Sequence, residues 1–122
     1  MGASEPGNEG ADPETPQRPW QVEIDSVAKI ELATAILNYE LKSDGLGERF
    51  RVDVESMIVQ IAGNPFLYQR VTRIHRRAVM HVFPYTIYFA VHKKSRRILV
   101  LNIHHAKRHP KYWRRNKPRW RQ

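Results

Sequence analysis

The sequence predicts an α+β fold: an N-terminal strand, then an antiparallel two-helix hairpin packed on a small, mostly antiparallel sheet, in the order β-α-α-β-β-β. Two observations lead to this prediction. Between residues 27 and 61, apolar residues recur with the period of about 3.6 that is typical of helices, and from residue 77 onward the period falls toward about 2. A break at residues 43–47, SDGLG, divides the helical part into two segments that a short turn would join.

The first two predicted elements are a strand and a helix. Residues 20–24 alternate apolar and polar side chains, as a short strand does. Asp25 or Ser26 then suits the N-cap of a helix over residues 27–42. The apolar side chains of this helix cover a wide face. They are Ala28, Ile30, Leu32, Ala33, Ala35, Ile36, Leu37, Tyr39 and Leu41.

The second predicted helix begins near residue 46 and has a single apolar stripe, because its apolar residues fall at i, i+4, i+8, i+11, i+12 and i+15. Gly63, Asn64 and Pro65 are expected to end it, with Gly63 at the C′ position and the proline just beyond. The residues of the stripe are Leu46, Phe50, Val54, Met57, Ile58 and Ile61.

Three strands are predicted after the helices. Residues 77–83 and 86–91 show strand character, and Pro84 between them marks a bend or a sheet edge. Residues 98–103 are almost continuously apolar, which is typical of a central strand that is covered on both faces. The charged residues 92–97 form the turn between the last two strands.

The charge of the chain is distributed very unevenly. Its last acidic residue is Glu55, and residues 56–122 hold sixteen Lys and Arg and all six His. Because these cations repel one another, such a half is seldom tolerated without a polyanion or an acidic partner. The sequence therefore favours nucleic acid, a nucleoprotein surface or an acidic protein as partner. An anionic membrane surface is disfavoured, since no basic amphipathic helix is evident.

Composition bounds the class of protein and its compartment. A chain of 122 residues with 41% hydrophobic content predicts one domain with a modest core. The absence of cysteine excludes disulfides and thiolate chemistry and fits a reducing compartment. No apolar run approaches the roughly 20 residues that span a bilayer, and residues 1–19 lack the apolar core of a secretory signal. We therefore expect a cytoplasmic protein.

The domain is predicted over residues 20–115. Residues 1–19 are rich in Gly, Pro and acidic residues and have no periodicity, so we expect a disordered acidic leader. Residues 116–122 are expected to form a basic tail. No cofactor is predicted. A metal site is disfavoured, because no Cys is present and the adjacent His104 and His105 would point to opposite faces of a regular strand.

Several short motifs occur in one order at consistent spacing. They are a Leu-Gly-x-x-Phe turn within residues 39–50 (YELKSDGLGERF), Asn64-Pro65, a Phe-Pro-Tyr step within residues 76–91 (RRAVMHVFPYTIYFAV), and His-x-x-Arg-x-Pro-x-Tyr-Trp at the end of residues 98–113 (ILVLNIHHAKRHPKYW). Together they resemble the RelE/ParE family of bacterial toxins from type II toxin–antitoxin (plasmid stabilisation) systems. The resemblance covers about residues 20–115 and implies a RelE/ParE-like fold, a growth-inhibiting function and a hetero-oligomer with a cognate antitoxin.

The resemblance leaves two mechanisms open. One branch of the family binds DNA gyrase and poisons it without chemistry of its own, and the other cleaves mRNA in the ribosomal A site. Residues 105–113 are more similar to the ParE side, and residues 43–92 contain none of the closely spaced lysines of the RNase arrangement. Gyrase binding is therefore favoured over a ribosome-dependent endoribonuclease. A third hypothesis is a non-toxic module that binds nucleic acid through its basic half.

The candidate catalytic or target-binding residues are Arg77, His81, His105, Arg108 and Tyr112. RNA cleavage needs cations near the phosphate oxygens, and it needs a base and an acid that can exchange protons near neutral pH. These residue types can supply both functions. From the predicted topology, we expect the last strand to deliver three of them to one end of the sheet, beside the two from its neighbour.

Two further surfaces follow from the same reasoning. The resemblance implies that an antitoxin segment wraps the helical hairpin and the sheet, and an acidic segment that folds on binding would suit the cationic half. Its docking residues on the first helix are predicted to be Leu32, Ile36 and Tyr39. A basic surface that could contact phosphates is predicted at Arg76, Lys107, Lys111, Arg114 and Arg115.

Overall fold

The computed structural model describes residues 19–120, so the predicted acidic leader lies outside the described residues except for Pro19. Within this range, two helices pack on one face of a five-stranded sheet, and the predicted α+β class is confirmed. The elements are β1 (Gln21–Ile24), α1 (Ser26–Lys42), α2 (Leu46–Gly63), β2 (Gln69–Arg70), β3 (Arg76–Val79), β4 (Tyr85–His92) and β5 (Arg97–His105), with 3-10 turns at Pro65–Leu67 and Tyr112–Arg115.

The sheet has the strand order β1-β5-β4-β3-β2. β1 pairs with β5 in parallel, and the other neighbours are antiparallel, so the sheet is mostly antiparallel as predicted. β5 lies between β1 and β4, which agrees with its almost continuous apolar sequence. The edge strand β2 was not predicted, because two residues are too few to carry a period.

The helices begin and approach each other as their sequence suggests. Asp25 caps α1, because its Oδ2 accepts a hydrogen bond from the Val27 N–H at 3.0 Å. Gly45 precedes α2 with a φ of 85°, a left-handed conformation that favours glycine. At Gly47 a Cβ would lie 2.5 Å from the carbonyl oxygen of Ile36. The short glycine turn therefore lets the two helices pack closely.

The end of α2 differs from the prediction. Gly63 is the last helical residue rather than C′, and Asn64 forms the C-cap in an extended conformation. The Asn64 N–H donates to the Gln60 carbonyl at 3.3 Å, and its Oδ1 accepts from the Phe66 N–H at 3.2 Å. The Asn64 backbone therefore closes α2 where a left-handed glycine was expected, and the Asn64 side chain caps the following 3-10 turn. The predicted apolar stripe of α2 is confirmed, and its fully buried members are Phe50, Val54 and Ile61.

The strand predicted over residues 77–83 is shorter in the structure and ends at Val79. The chain leaves the sheet because Phe83 turns into the core, where its ring centroid lies 5.0 Å from those of Tyr39 and Phe50. This aromatic group joins the sheet to both helices. An apolar sequence alone cannot distinguish a turn that buries one aromatic side chain from a strand.

A β-bulge interrupts the pairing of β4 with β5. Tyr88 lies opposite Asn102 and Phe89 lies opposite Val100, so Leu101 is an extra residue on β5. Leu101 is fully buried. The bulge reverses the alternation of side chains along β5, and it therefore decides which face each residue near the end of the strand occupies.

The face of the sheet opposite the helices is covered by the C-terminal segment, residues 106–120. Trp113 is 5% exposed, and its indole stacks on the ring of Tyr88. The Asn116 side-chain amide donates to the Leu101 carbonyl at 2.7 Å. The central strands are therefore enclosed on both faces. No helix within residues 19–120 is long and apolar enough to cross a membrane.

Candidate functional site

The structure places Arg77 on the face of the sheet that the C-terminal segment covers. Arg77 pairs across the strands with Tyr88, so the two side chains share a face. Its Nε donates to Gln69 Oε1 at 2.9 Å. Burial raises the pKa of the Tyr88 phenol, and the nearby Arg77 charge and hydrogen bond act in the opposite direction. With Trp113 stacked on Tyr88, Arg77 lies at the margin of a filled surface rather than of an open cleft.

His105 lies on the opposite face, toward the helices. It pairs with Tyr85, and their ring centroids lie 5.0 Å apart. Tyr85 in turn contacts the rings of Tyr39 and Phe50, which belong to α1 and α2. We expected the candidate residues to gather at one end of the sheet. Arg77 and His105 instead lie on opposite faces, with the sheet between them.

His105 and Arg108 are close together on a turn that leaves β5. The Arg108 N–H donates to the His105 carbonyl at 3.0 Å, and His105 Nδ1 accepts from the Lys107 N–H at 2.9 Å. Partial burial lowers the pKa of the His105 imidazole, and the charges of Lys107, Arg108 and Lys42 lower it further. The imidazole is therefore biased toward its neutral form, which can accept a proton or a hydrogen bond.

His104 and Tyr112 form a stacked pair on the other face. Their ring centroids lie 6.4 Å apart with an interplanar angle of 19°. His104 is 4% exposed, and burial lowers the pKa of its imidazole, with further lowering by the charges of Arg108 and His105. The sequence analysis did not select His104 as a candidate. We refer to His104, His105, Arg108, Tyr112 and Tyr85 as the β5-end cluster.

An acidic residue of α1 reaches this end of the sheet. The Glu31 carboxylate accepts hydrogen bonds from the Ile103 N–H at 2.8 Å and from the Asn102 amide at 3.2 Å. Burial raises the pKa of this carboxyl, while those hydrogen bonds and the positive charge of Arg108 lower it. Glu31 was missed because it reads in the sequence as one polar position on an amphipathic helix. The β5-end cluster is therefore not purely cationic.

His81 lies elsewhere, on the exposed turn after β3. It lines a shallow groove of about 270 Å³ together with residues of α2 such as Asp53 and Gln60. This groove borders the helices and is formed by residues outside the β5-end cluster. Within residues 19–120, no group of three or more His, Cys, Asp or Glu side chains is arranged to hold a metal ion.

The residues of the predicted basic surface do not form one patch, because Arg76 lies apart from the other four. Arg76 is partly buried at the far end of the sheet, where its Nη1 donates to the Tyr68 carbonyl at 2.9 Å. Its guanidinium lies 5.1 Å from the centre of the Phe66 ring, and burial lowers its pKa. The other four residues are exposed in the C-terminal segment. They are Lys107, Lys111, Arg114 and Arg115.

The predicted docking residues on α1 are only partly accessible. Leu32, Ile36 and Tyr39 pack against the core, on the side of the helix that also carries the buried Ala28 and Ala35. The opposite side of α1, about half a turn around the helix from these residues, is the open one. Its exposed members are Ile30, Leu37 and Leu41, which are 67%, 59% and 77% exposed.

Comparison with known proteins supports the architecture. No protein-family model matches the chain, and no curated protein matches its sequence. A chain of the chromosomal ParDE TA system from P. aeruginosa is similar with a TM-score of 0.59 and 13% identity, over 72% of this chain and 97% of that one. A chain of the toxin–antitoxin complex RelBE2 from Mycobacterium tuberculosis is similar with a TM-score of 0.50 and 14% identity, over 71% and 98%. The RelE/ParE-like fold that the motifs implied is thus confirmed.

Proposed function

We propose that this chain is the toxin component of a type II toxin–antitoxin system. Three observations support the proposal: the RelE/ParE-like fold, the motifs of residues 39–50 and 105–113, and a second half that carries no acidic residue. Such a cationic surface needs an anionic partner to offset its self-repulsion. A cognate antitoxin with an acidic segment would supply one and would block the toxin by covering it.

In our proposal the chain inhibits growth by binding DNA gyrase. The observation that carries this choice is the separation of Arg77 from His105 by the sheet, with Trp113 covering the face of Arg77. Attack of a 2′-OH on its phosphate would need a base, an acid and cations around one phosphorus atom. Binding needs no such convergence, and the exposed Arg108 and Tyr112 suit a contact surface.

A ribosome-dependent endoribonuclease is the second candidate, and one observation favours it. His104 and His105 both have lowered imidazole pKa values, and both lie within the electrostatic reach of Arg108. A neutral imidazole next to a guanidinium can take a proton from a 2′-OH while the cation stabilises the phosphate. In this mechanism His105, which is the more accessible of the two, would be the base.

The antitoxin is proposed to dock on the exposed apolar stripe of α1. Ile30, Leu37 and Leu41 lie on one side of the helix and would accept the apolar face of an amphipathic segment. Leu32, Ile36 and Tyr39 lie on the opposite side of α1, where they hold the helix against the core and thereby fix the position of this surface. Replacing Leu37 and Leu41 with Ser should abolish antitoxin binding, whereas Val59→Ser, at a comparably exposed position on α2, should not.

Two assays on the same variants distinguish the mechanisms. Purified chain should inhibit supercoiling by gyrase, Arg108→Ala should relieve that inhibition, and Arg49→Ala, at an exposed position of α2, should not. In cells that express the chain, mapping of mRNA ends should show no new cleavage. Discrete cleavage that disappears in His105→Ala would replace gyrase binding with the nuclease. Absence of both activities in folded chain would refute the toxin proposal.

A further inference from the structure

A cationic groove lies at the edge of the sheet where β4 ends and β5 begins, remote from the β5-end cluster. Its volume is about 460 Å³, and it is lined by Phe66, by residues between 70 and 76 in and around the β2–β3 loop, and by residues 91–94 at the end of β4 and in the turn that follows. His92 closes β4 at this end, whereas His105 closes β5 at the other. Five of the residues that line the groove carry a positive charge. They are Arg70, Arg73, Arg76, Lys93 and Lys94.

These five charges have no acidic counterpart in the groove. Residues 19–120 contain three ion pairs, which join Arg51 to Glu48 and Glu55, and Arg97 to Glu23. None of them includes a cation that lines the groove. Burial lowers the pKa of the Arg76 guanidinium, and the neighbouring charge of Arg70 lowers it further. An anion bound between them would offset both effects.

An aromatic ring lies among these cations. Phe66 is 42% exposed, and its ring centre lies 5.1 Å from the Arg76 guanidinium and 5.7 Å from the Lys93 ammonium. The ring is held from the side by Trp20, edge to face at 5.4 Å. Arg76 is fixed by its hydrogen bond to the Tyr68 carbonyl. Cations and an accessible π-system are therefore preorganised in one groove.

We propose that this groove binds the sugar–phosphate backbone of a single-stranded nucleic acid. The exposed Arg73 and Lys94 and the neighbouring Arg70 would contact successive phosphates, and an unstacked base would lie against Phe66. A duplex keeps its bases stacked and offers none to the ring, so the aromatic residue favours a single strand. An acidic peptide would meet the cations but would leave the ring without a stacking partner. This site is independent of the toxin proposal.

The test is direct binding measured by fluorescence anisotropy. The probe is a labelled oligothymidylate of about 12 nucleotides, compared with a duplex of equal length. The test variant is Arg73→Gln with Lys94→Gln, and the matched control is Lys29→Gln with Arg49→Gln, which removes the same charge from exposed helix positions. Because all four side chains are exposed, each variant should keep the wild-type circular dichroism spectrum and melting temperature.

The expected result is selective loss of single-strand binding. Each phosphate contact contributes about 0.7 to the salt slope, so the test variant should bind about 10- to 30-fold more weakly near 0.1 M salt, with a slope smaller by about 1.4. The control should bind nearly as the wild type does. Equal weakening in both variants, or equal affinity for the duplex, would overturn the proposal. Tighter binding of an acidic peptide of matched charge, lost in the test variant, would also overturn it.

Discussion

The indole of Trp113 stacks on the phenol of Tyr88, with ring centroids 4.0 Å apart and an angle of 9° between their planes. His75 contacts the same indole edge to face at 5.0 Å. These contacts hold the C-terminal segment against the sheet and fill the surface beside Arg77. Because the indole occupies this face of the sheet, its packing limits the access of a substrate to Arg77.

Removal of the indole should destabilise the fold strongly. Trp113→Ala deletes a side chain that is 5% exposed, and we expect a loss of about 3–5 kcal/mol in the free energy of unfolding from urea titration. Tyr112→Ala, which removes a neighbouring ring that is 42% exposed, should cost less than about 1 kcal/mol. A loss of similar size in both variants would contradict the role assigned to the stack.

The two glycines between the helices should differ in their tolerance of alanine. At Gly47 a Cβ would meet the Ile36 carbonyl at 2.5 Å, so Gly47→Ala must push the helices apart and should cost about 1–3 kcal/mol. At Gly45 a Cβ would have open space, and only the left-handed φ opposes Gly45→Ala, at a cost of about 1 kcal/mol. Thermal unfolding of both variants checks the order, and a more damaging Gly45→Ala would contradict the close approach.

The buried His75 should make the fold sensitive to acid. Its Nε2 donates to the Asn116 carbonyl at 2.8 Å, and its Nδ1 lies 2.8 Å from Thr72 Oγ1. Burial lowers its pKa, and the charges of Lys117 and Arg114 lower it further, although the Asn116 bond opposes them. The folded state therefore binds this proton less readily than the unfolded state, and stability is lost as the pH falls below about 6.5.

The measurement for His75 is the free energy of unfolding between about pH 7.5 and 5.5. His75→Gln, which keeps a side-chain donor but does not titrate, should lose less stability on acidification than the wild type does. His81→Gln, which replaces a histidine on an exposed turn, is the matched control for the loss of an imidazole. Identical pH slopes for the wild type and His75→Gln would show that the pKa of this imidazole does not change on unfolding.

The effect of Glu31 on the pH dependence of stability should be opposite to that of His75. Because burial raises the pKa of its carboxyl, the folded state binds the proton more readily than the unfolded state. Its contribution is favourable at low pH and is lost as the pH rises through the raised value. Unfolding of Glu31→Gln and wild type from about pH 4 to 7 should show the variant gaining relative stability as the pH rises. If the variant instead gained relative stability as the pH falls, the hydrogen bonds of Glu31 would lower its pKa by more than burial raises it.

The helices could be predicted well from the sequence, and the last strands only in part. α2 has one apolar stripe, and Phe50, Val54 and Ile61 are buried as that stripe requires. In β5 the residues are apolar on both faces, so no period marks the bulge at Leu101. The phase of the alternation beyond the bulge could not be obtained from local sequence.

The same limit applies to the candidate site. The motifs identified His105 and Arg108 at the end of the last strand, where both lie. That His105 shares a face with Tyr85 while Arg77 shares one with Tyr88 follows from strand register, which is a tertiary property. The cationic groove was missed because its cations come from two segments, residues 70–76 and the β4–β5 turn, that are adjacent only after folding.

The growth of cells that express this chain alone tests the central proposal most directly. Induction of the wild type should arrest growth, as should Arg49→Ala, and Arg108→Ala at equal soluble level should restore it because the β5-end cluster then lacks its exposed guanidinium. Normal growth at a high level of folded wild-type chain would contradict the proposal that this RelE/ParE-like fold serves as a toxin.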